Sequence, residues 1–223
     1  MQPTYLPWEG YFNLISKADK FIFLDDVQFV KQSWQSRNYI LSSNGKLLLS
    51  IPIKKHDLST NINKIKINDN QNWRKKHILS ITQNYSKTKY FHHLNKIIQI
   101  ISDSKNKNLL ELNIKIINAI CSILSIDFEP RLSSEFSQVK NRSKKLINIC
   151  KELDCGAYIS PIGSKKYIES DKVFSKTKIK LIFNEYKPIP YTQCNSKSFI
   201  SHLSIIDLIS NKGVEFAKDH IQN

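Results

Sequence analysis

Short apolar runs alternate along the chain with longer stretches whose apolar residues recur every three or four positions. The runs at 21–24, 157–160 and 180–183 predict buried strands. The spacing at 73–85, 109–124 and 203–217 predicts helices, the last of which closes the chain. Strands that alternate with helices are typical of α/β proteins, so we predict an α/β fold with a mostly parallel sheet flanked by helices.

Two further patterns interrupt this alternation. Runs at 39–41 and 46–53 flank the Asn44-Gly45 pair, which favours the positive φ angles of a β-hairpin turn. The isoleucines at 62, 65 and 67 predict another short strand, and residues 91–101 continue an apolar helical stripe. No repeat and no linker rich in Gly, Ser or Pro divides the chain. We therefore predict one domain over residues 1–223, with a hairpin insertion and a helical middle segment.

The charge is strongly unbalanced, with 34 Lys and Arg residues against 19 Asp and Glu and a formal net charge of +15. Such an excess is compatible with nucleic acid or another anionic ligand. Only four of the basic residues are Arg, the side chain best suited to bidentate phosphate contacts, and the lysines are spread along the chain. A solvated surface rich in Lys therefore competes with an anion-binding surface as the explanation.

Cysteine usage and hydropathy argue against several classes of site. Cys121, Cys150, Cys155 and Cys194 form no CxxC pair, so we expect reduced thiols, with Cys155 as a nucleophile the minor alternative. We expect no metal and no cofactor. No uncharged apolar run approaches the roughly 18 residues of a membrane span, so we expect a cytoplasmic protein.

Aromatic, amide and turn residues are concentrated in the first forty positions, and related groups recur later. The candidate substrate-binding residues are Gln2, Tyr5, Trp8, Gly10, Tyr11, Asp25, Gln28, Lys31, Trp34, Arg37, Asn38, Ser160, Gly163 and Tyr167. Together with residues 203–208, these segments resemble the signature segments of the WbqC-like family over most of the chain. That family is associated with bacterial surface polysaccharides such as the O-antigen of lipopolysaccharide.

The resemblance implies two functions. The first is a transferase that moves a glycyl or other acyl group onto an amino sugar carried on a nucleotide or lipid, with an aminoacyl-tRNA or acyl carrier protein as donor. The alternative is a non-catalytic protein of the same pathway that binds a nucleotide sugar or acts as a scaffold. Family members usually carry a few apolar residues before the Met-Gln-Pro segment. If those residues form a first strand, that strand would precede Met1, and the sequence leaves open whether Met1 is the true start.

A weaker resemblance connects the same opening segment to the nucleotidyltransferase-like superfamily. Trp8, Gly10 and Tyr11 occupy places analogous to its HxGH element. Both histidines that would hold nucleotide phosphates are absent here. We therefore expect a related fold without adenylyl transfer.

Asp26 and His77 are the candidate catalytic residues. Asp26 ends a predicted strand with Asp25, and adjacent strand residues point to opposite faces, so at most one of the two should face a given pocket. His77 lies early in a predicted helix and would take the proton of the acceptor amine. Strand-end capping by the acids and helix packing by His77 are the competing interpretations.

Asp26 with Gln28 would orient the sugar, while Arg37 and nearby lysines such as Lys31 would hold a diphosphate. Trp34 would pack against a base or sugar ring. A core position for Trp34, and an ion pair between Arg37 and one of the acids, are the alternatives.

Overall fold

The computed structural model describes residues 1–222 as an α/β protein. The helices are α1 (Glu9–Ser16), α2 (Trp73–Tyr85), α3 (Asn95–Ser102), α4 (Leu109–Ile123), α5 (Arg142–Glu152), α6 (Lys165–Asp171), α7 (Ile205–Lys212) and α8 (Val214–Gln222). The strands are β1 (Ile22–Phe23), β2 (Arg37–Ser42), β3 (Gly45–Ser50), β4 (Arg131–Leu132), β5 (Ala157–Pro161) and β6 (Lys180–Asn184).

The strands form three separate pairs within the described residues. β1 pairs with β4 and β5 pairs with β6, both in parallel, whereas β2 and β3 form an antiparallel hairpin. The α/β prediction is confirmed. The likeness to the nucleotidyltransferase-like superfamily stays a prediction.

The main core is built around α4, which presents apolar residues on one continuous face. Leu112, Ile116 and Ile120 are fully buried there, and each such side chain contributes about 1.5–3 kcal/mol through its transfer from water. Asn108 caps the helix by accepting hydrogen bonds from the backbone N–H groups of Leu110 and Glu111. A smaller core of four buried residues lies in the second half of the chain: Leu146, Ile147, Ile168 and Phe174.

The predicted hairpin is confirmed, with β2 and β3 in register from Arg37 opposite Ser50 to Ser42 opposite Gly45. Gly45 has φ +94, a conformation that glycine adopts without strain. Helix α2 also has the predicted bounds. The hairpin matters for the site because it carries Arg37 and Asn38.

Two predicted elements are wrong in detail. Residues 62–67 do not form a strand: Ile62–Lys64 is a 3-10 turn, and Lys66 and Ile67 form only isolated antiparallel bridges, with Asn108 and Ile53. Ile62 and Ile65 are buried all the same. The closing helix is two helices, because Gly213 has φ +86 and ends α7 before α8 begins. In both places apolar spacing was correct for burial, but a local turn decided the backbone.

A cavity of about 340 Å³ separates β1 from β5. Ile22 and Leu24 line one side, and Ala157 and Ile159 line the other. The Met1 carbonyl accepts a hydrogen bond from the Leu24 N–H at 2.9 Å, so Met1 lies alongside the end of β1. The first strand expected to precede Met1 stays a prediction.

Candidate functional site

The segments that carry the family resemblance converge around the loop of residues 2–8. The Tyr5 N–H donates to the Trp34 carbonyl at 3.0 Å, and the Ile205 N–H donates to the Pro7 carbonyl at 2.9 Å. The first, second and last of these segments are therefore one packed unit, although up to two hundred residues separate them.

Asn38 holds this loop in its bend. Its side-chain amide donates to the carbonyls of Leu6 at 2.6 Å and Tyr5 at 3.3 Å. Leu6 has φ +43, a left-handed conformation that a non-glycine residue rarely adopts without support. Asn38 is buried, so its contacts stabilise the loop from within the protein.

Gly10 makes room for the ring of Trp8. A Cβ atom on Gly10 would lie 2.3 Å from that ring, which is closer than atoms can approach. The Trp8 ring also stacks on His202, with centroids 4.9 Å apart, and meets the edge of Tyr186. The spacing of Trp8 and Gly10 is thus explained by packing at the start of α1.

Glu9 and Asp207 are buried carboxylates that the sequence interpretation missed. Asp207 is fully buried and accepts hydrogen bonds from Tyr85 (2.9 Å), Tyr191 (2.7 Å) and Gln193 (2.8 Å). Burial raises the pKa of Asp207 above its ordinary value. Both acids lie among apolar neighbours in the segments that resemble the family. A charged residue at a position where the helical pattern predicts a buried apolar side chain was the sequence signal that could have revealed them.

Glu9 lies 5% exposed, beside His220 on α8, with 3.4 Å between its carboxylate and Nε2 of the ring. Burial, followed by the nearby charge of Asp207, raises the pKa of Glu9 to about 7. Asp207 therefore ties α7 to Tyr85 of α2 and to the segment with Tyr191 and Gln193, whereas Glu9 brings α1 against α8.

Gln2 and Tyr11 contribute to the same packed unit. The Tyr11 hydroxyl donates to the Gln2 carbonyl at 3.1 Å, and the Gln2 side-chain oxygen accepts from the Gln35 amide at 3.1 Å. These contacts connect the loop to the start of β2. Substrate contacts by Gln2 and Tyr11 stay predictions.

His77 lies beneath the loop rather than at the surface. The hydroxyl of Tyr5 is 2.9 Å from Nδ1, the ring of Trp73 is 5.0 Å away, and the backbone of Ser50 forms a further hydrogen bond to the imidazole. Burial lowers the pKa of His77 to about 4, so the ring is neutral at physiological pH. The catalytic role of His77 stays a prediction, and the described contacts do not join it to Asp26.

Asp25 and Asp26 meet a turn that follows β4. The Ser133 hydroxyl lies within hydrogen-bond distance of both carboxylates, and the Ser134 N–H donates to Asp25 at 2.9 Å. β1 ends at Phe23, so strand alternation does not separate the two acids. We name Asp25, Asp26, Ser133 and Lys145 the acid cluster.

The two acids differ in how completely they are satisfied. Asp25 is buried, and its carboxylate accepts hydrogen bonds from the Ser133 hydroxyl, the Ser134 N–H and, at 3.4 Å, the Asn63 side-chain amide. Asp26 forms an ion pair with Lys145 of α5, but its Oδ2 is buried and has no hydrogen-bond partner among residues 1–222. A buried carboxylate oxygen of this kind is expected to receive a donor from water or a ligand.

Asp26 is held in its ionised form. Burial by itself favours the neutral acid, but hydrogen bonds from Lys145 and Ser133 and the Lys145 charge outweigh it and lower the pKa of Asp26. At neutral pH the group is a fixed negative charge. It is therefore suited to bind an amine or a hydroxyl donor.

The β2–β3 hairpin and the turn before it carry three further candidates: Lys31, Trp34 and Arg37. The Arg37 guanidinium makes no hydrogen bond or ion pair with any residue that the structure describes. The alternative interpretation, an ion pair between Arg37 and Asp25 or Asp26, is therefore wrong. Trp34 is 52% exposed and Lys31 is exposed, whereas Gln28 donates to the Leu58 carbonyl at 2.7 Å. Of these residues, Arg37, Trp34 and Lys31 are free to contact a ligand.

The segment with Ser160, Gly163 and Tyr167 is connected to the acid cluster through α5. Arg142 lies over the ring of Tyr167 at 3.9 Å. Arg142 is three residues before Lys145, so both project from one side of α5. Ser160 is fully buried and Gly163 is exposed.

Comparison with known proteins decides the family. Residues 2–219 match the model described as the WbqC-like protein family. The chain belongs to this family. A protein of Mycobacterium tuberculosis (strain ATCC 25618 / H37Rv) named "Uncharacterized protein Rv1507c" is 30% identical over 224 residues, which cover 100% of this chain and 96% of that protein. No solved structure matches at a significant level. Within residues 1–222, no helix is long and apolar enough to cross a membrane.

Proposed function

We propose that this WbqC-like protein acts in the assembly of bacterial surface polysaccharides by transferring a glycyl or other acyl group onto an amino sugar. The observation that carries the proposal is the unpartnered Oδ2 of Asp26, on a carboxylate kept ionised beside Lys145. An ammonium or amine is the donor that best complements such an oxygen. An amino sugar supplies this donor, whereas a neutral sugar offers only hydroxyls.

The transfer forms an amide. The amine nitrogen of the acceptor bonds to the carbonyl carbon of the acyl donor, and the amine proton passes through a base to the leaving group. With an aminoacyl-tRNA the ester C–O bond breaks and the ribose hydroxyl leaves, and with an acyl carrier protein the thioester C–S bond breaks and the carrier thiol leaves. Asp26 would hold the amine, and Arg37 with Lys31 would hold the phosphates of a nucleotide or lipid carrier. An aminoacyl-tRNA or an acyl carrier protein is the proposed donor, and cytoplasmic action is part of the proposal.

A specific observation favours a second candidate, a non-catalytic protein that binds a nucleotide sugar. His77, the proposed base, has a pKa of about 4 and has Tyr5 on Nδ1. To accept the amine proton at Nδ1, the His77 ring would have to lose its hydrogen bond with Tyr5 and contact the substrate amine instead. The low pKa of Asp26 likewise suits it to hold a charge better than to remove a proton.

A transfer assay separates the two candidates. The purified protein is incubated with UDP-glucosamine and either glycyl-tRNA or an acyl carrier protein loaded with a short acyl group, and the sugar nucleotide is analysed by mass spectrometry. Acylated product that disappears in Asp26→Asn supports the transferase. Binding of UDP-glucosamine without product from either donor contradicts the transferase and supports the binding protein.

A further inference from the structure

A basic cavity of about 290 Å³ opens between the turn that follows Phe29 and the segment that follows β3. We call it the basic cavity and define it by the polar residues that line it: Lys31, Gln32, Ser36, Ser50, Lys54, Lys55 and His56. It lies beside the β2–β3 hairpin, and none of the acid cluster residues lines it.

All the charged side chains that line the basic cavity are lysines. No Asp or Glu is among the described residues that line it, and its three lysines form no ion pair with residues 1–222. Lys145, by contrast, is neutralised by Asp26. Three unpaired ammonium groups around one concave space create a positive potential that an anion would neutralise.

The walls of the basic cavity are fixed. Ser36 is 5% exposed, its N–H donates to the Ser33 carbonyl at 3.2 Å, and its carbonyl accepts from the Ile51 N–H at 2.8 Å. His56 packs edge-on against the buried ring of Phe29, with centroids 5.2 Å apart. The side chains of Ser36 and Ser50 line the same space as the three lysines, so their hydroxyls would add hydrogen-bond donors to the positive charge around an oxyanion.

Arg37 extends the same positive surface. It pairs with Ser50 across the hairpin, and directly opposed residues of an antiparallel pair project from the same face. Trp34 lies in the turn between Lys31 and Ser36 and is half exposed. A ligand whose anionic group occupies the cavity would therefore find a guanidinium and an indole ring at its edge.

We propose that the basic cavity binds the diphosphate group of a small sugar-linked molecule, while the organic part lies outside against Trp34. The volume is at the lower end for ligand sites, where roughly 300–1,000 Å³ is usual, so a diphosphate fits better than a whole sugar nucleotide. The inference deepens the proposed function, on which the choice of a sugar-linked ligand rests.

The test measures binding of inorganic pyrophosphate, UDP-glucose and a short RNA by titration calorimetry at physiological salt. The variant Lys54→Gln/Lys55→Gln removes two charges from the cavity. The control Lys96→Gln/Lys151→Gln removes the same charge from exposed lysines on α3 and α5. All four positions are exposed, so both variants are expected to fold.

The expected result is that pyrophosphate and UDP-glucose bind about tenfold more weakly to the cavity variant and equally well to the control. Equal weakening in both variants would overturn the proposal, because net charge alone would then explain binding. So would no pyrophosphate binding, or binding of RNA alone. If pyrophosphate binds but no acyl transfer is detected, the diphosphate site stands and only the proposed transferase activity is contradicted. If transfer occurs and Lys54→Gln/Lys55→Gln does not affect it, only the diphosphate site is contradicted.

Discussion

The packed unit around Asp207 and the basic cavity handle charge in opposite ways. Asp207 is fully buried and receives three hydrogen bonds, whereas Lys54 and Lys55 are exposed without an ion-pair partner among the described residues. A buried charge must be satisfied within the protein or the fold is destabilised. An exposed, unpaired charge costs little and remains free for a ligand. The first region should therefore govern stability, and the second should govern binding.

The largest effect is expected from Asp207→Leu. The change leaves Tyr85, Tyr191 and Gln193 without their acceptor in the core, and the loss of several buried hydrogen bonds should lower the free energy of unfolding by about 3 kcal/mol or more. Urea unfolding measures it, with Asp207→Asn as the milder control. A loss under about 1 kcal/mol would contradict the role assigned to Asp207.

Gly10→Ala should come next. The new Cβ would lie 2.3 Å from the Trp8 ring, so the ring must move, at a cost of about 1–3 kcal/mol in the free energy of unfolding. The same substitution in a Trp8→Leu background should cost less, because the clashing ring is gone. Equal costs in the two backgrounds would show that Trp8 is not the reason for glycine at this position.

Glu9→Gln should stabilise the protein, but only at higher pH. The pKa of Glu9 is about 7 in the folded protein and near 4.5 unfolded, so the folded state binds more protons between these values and stability falls as pH rises through that window. Glutamine removes this loss. Thermal unfolding should show a gain of up to about 3 kcal/mol at pH 8 and little change at pH 4. Equal effects at both pH values would refute the raised pKa.

The smallest change in stability is expected from Lys54→Gln/Lys55→Gln. Exposed side chains without partners contribute little, so the free energy of unfolding should stay within about 0.5 kcal/mol of the original protein. Urea unfolding checks this directly. A large loss would mean that the lysines stabilise the fold, which would remove the contrast between the two regions.

Local patterns predicted much of the fold. Apolar spacing gave the bounds of α2, and Asn44-Gly45 marked the hairpin. The failures at residues 62–67 and at Gly213 have one cause: the apolar pattern reports burial, whereas the backbone there is decided by a turn and by one glycine in a positive φ conformation. Burial patterns alone do not distinguish these outcomes.

The candidate site was predictable only where its residues are close in sequence. Arg37 stood out because Arg is rare in this chain, and Trp34 because it lies in a segment that resembles the family's signature segments. Trp34 is half exposed in the structure, and Arg37 pairs with no acid among the described residues. Lys145 reaches Asp26 from a helix more than a hundred residues away, which no local pattern reveals. Asp207 lies between apolar neighbours, which predict a buried carboxylate, but its partners Tyr85, Tyr191 and Gln193 are set by the fold.

The recognition of an amine by Asp26 is the central claim, and one titration tests it. UDP-glucosamine and UDP-glucose, which differ only in an amino or hydroxyl group at one carbon, are titrated into the original protein and into Asp26→Asn. The original protein should bind UDP-glucosamine about tenfold more tightly, and Asp26→Asn should bind the two equally. Equal binding by the original protein, or a preference that survives in Asp26→Asn, would contradict the claim.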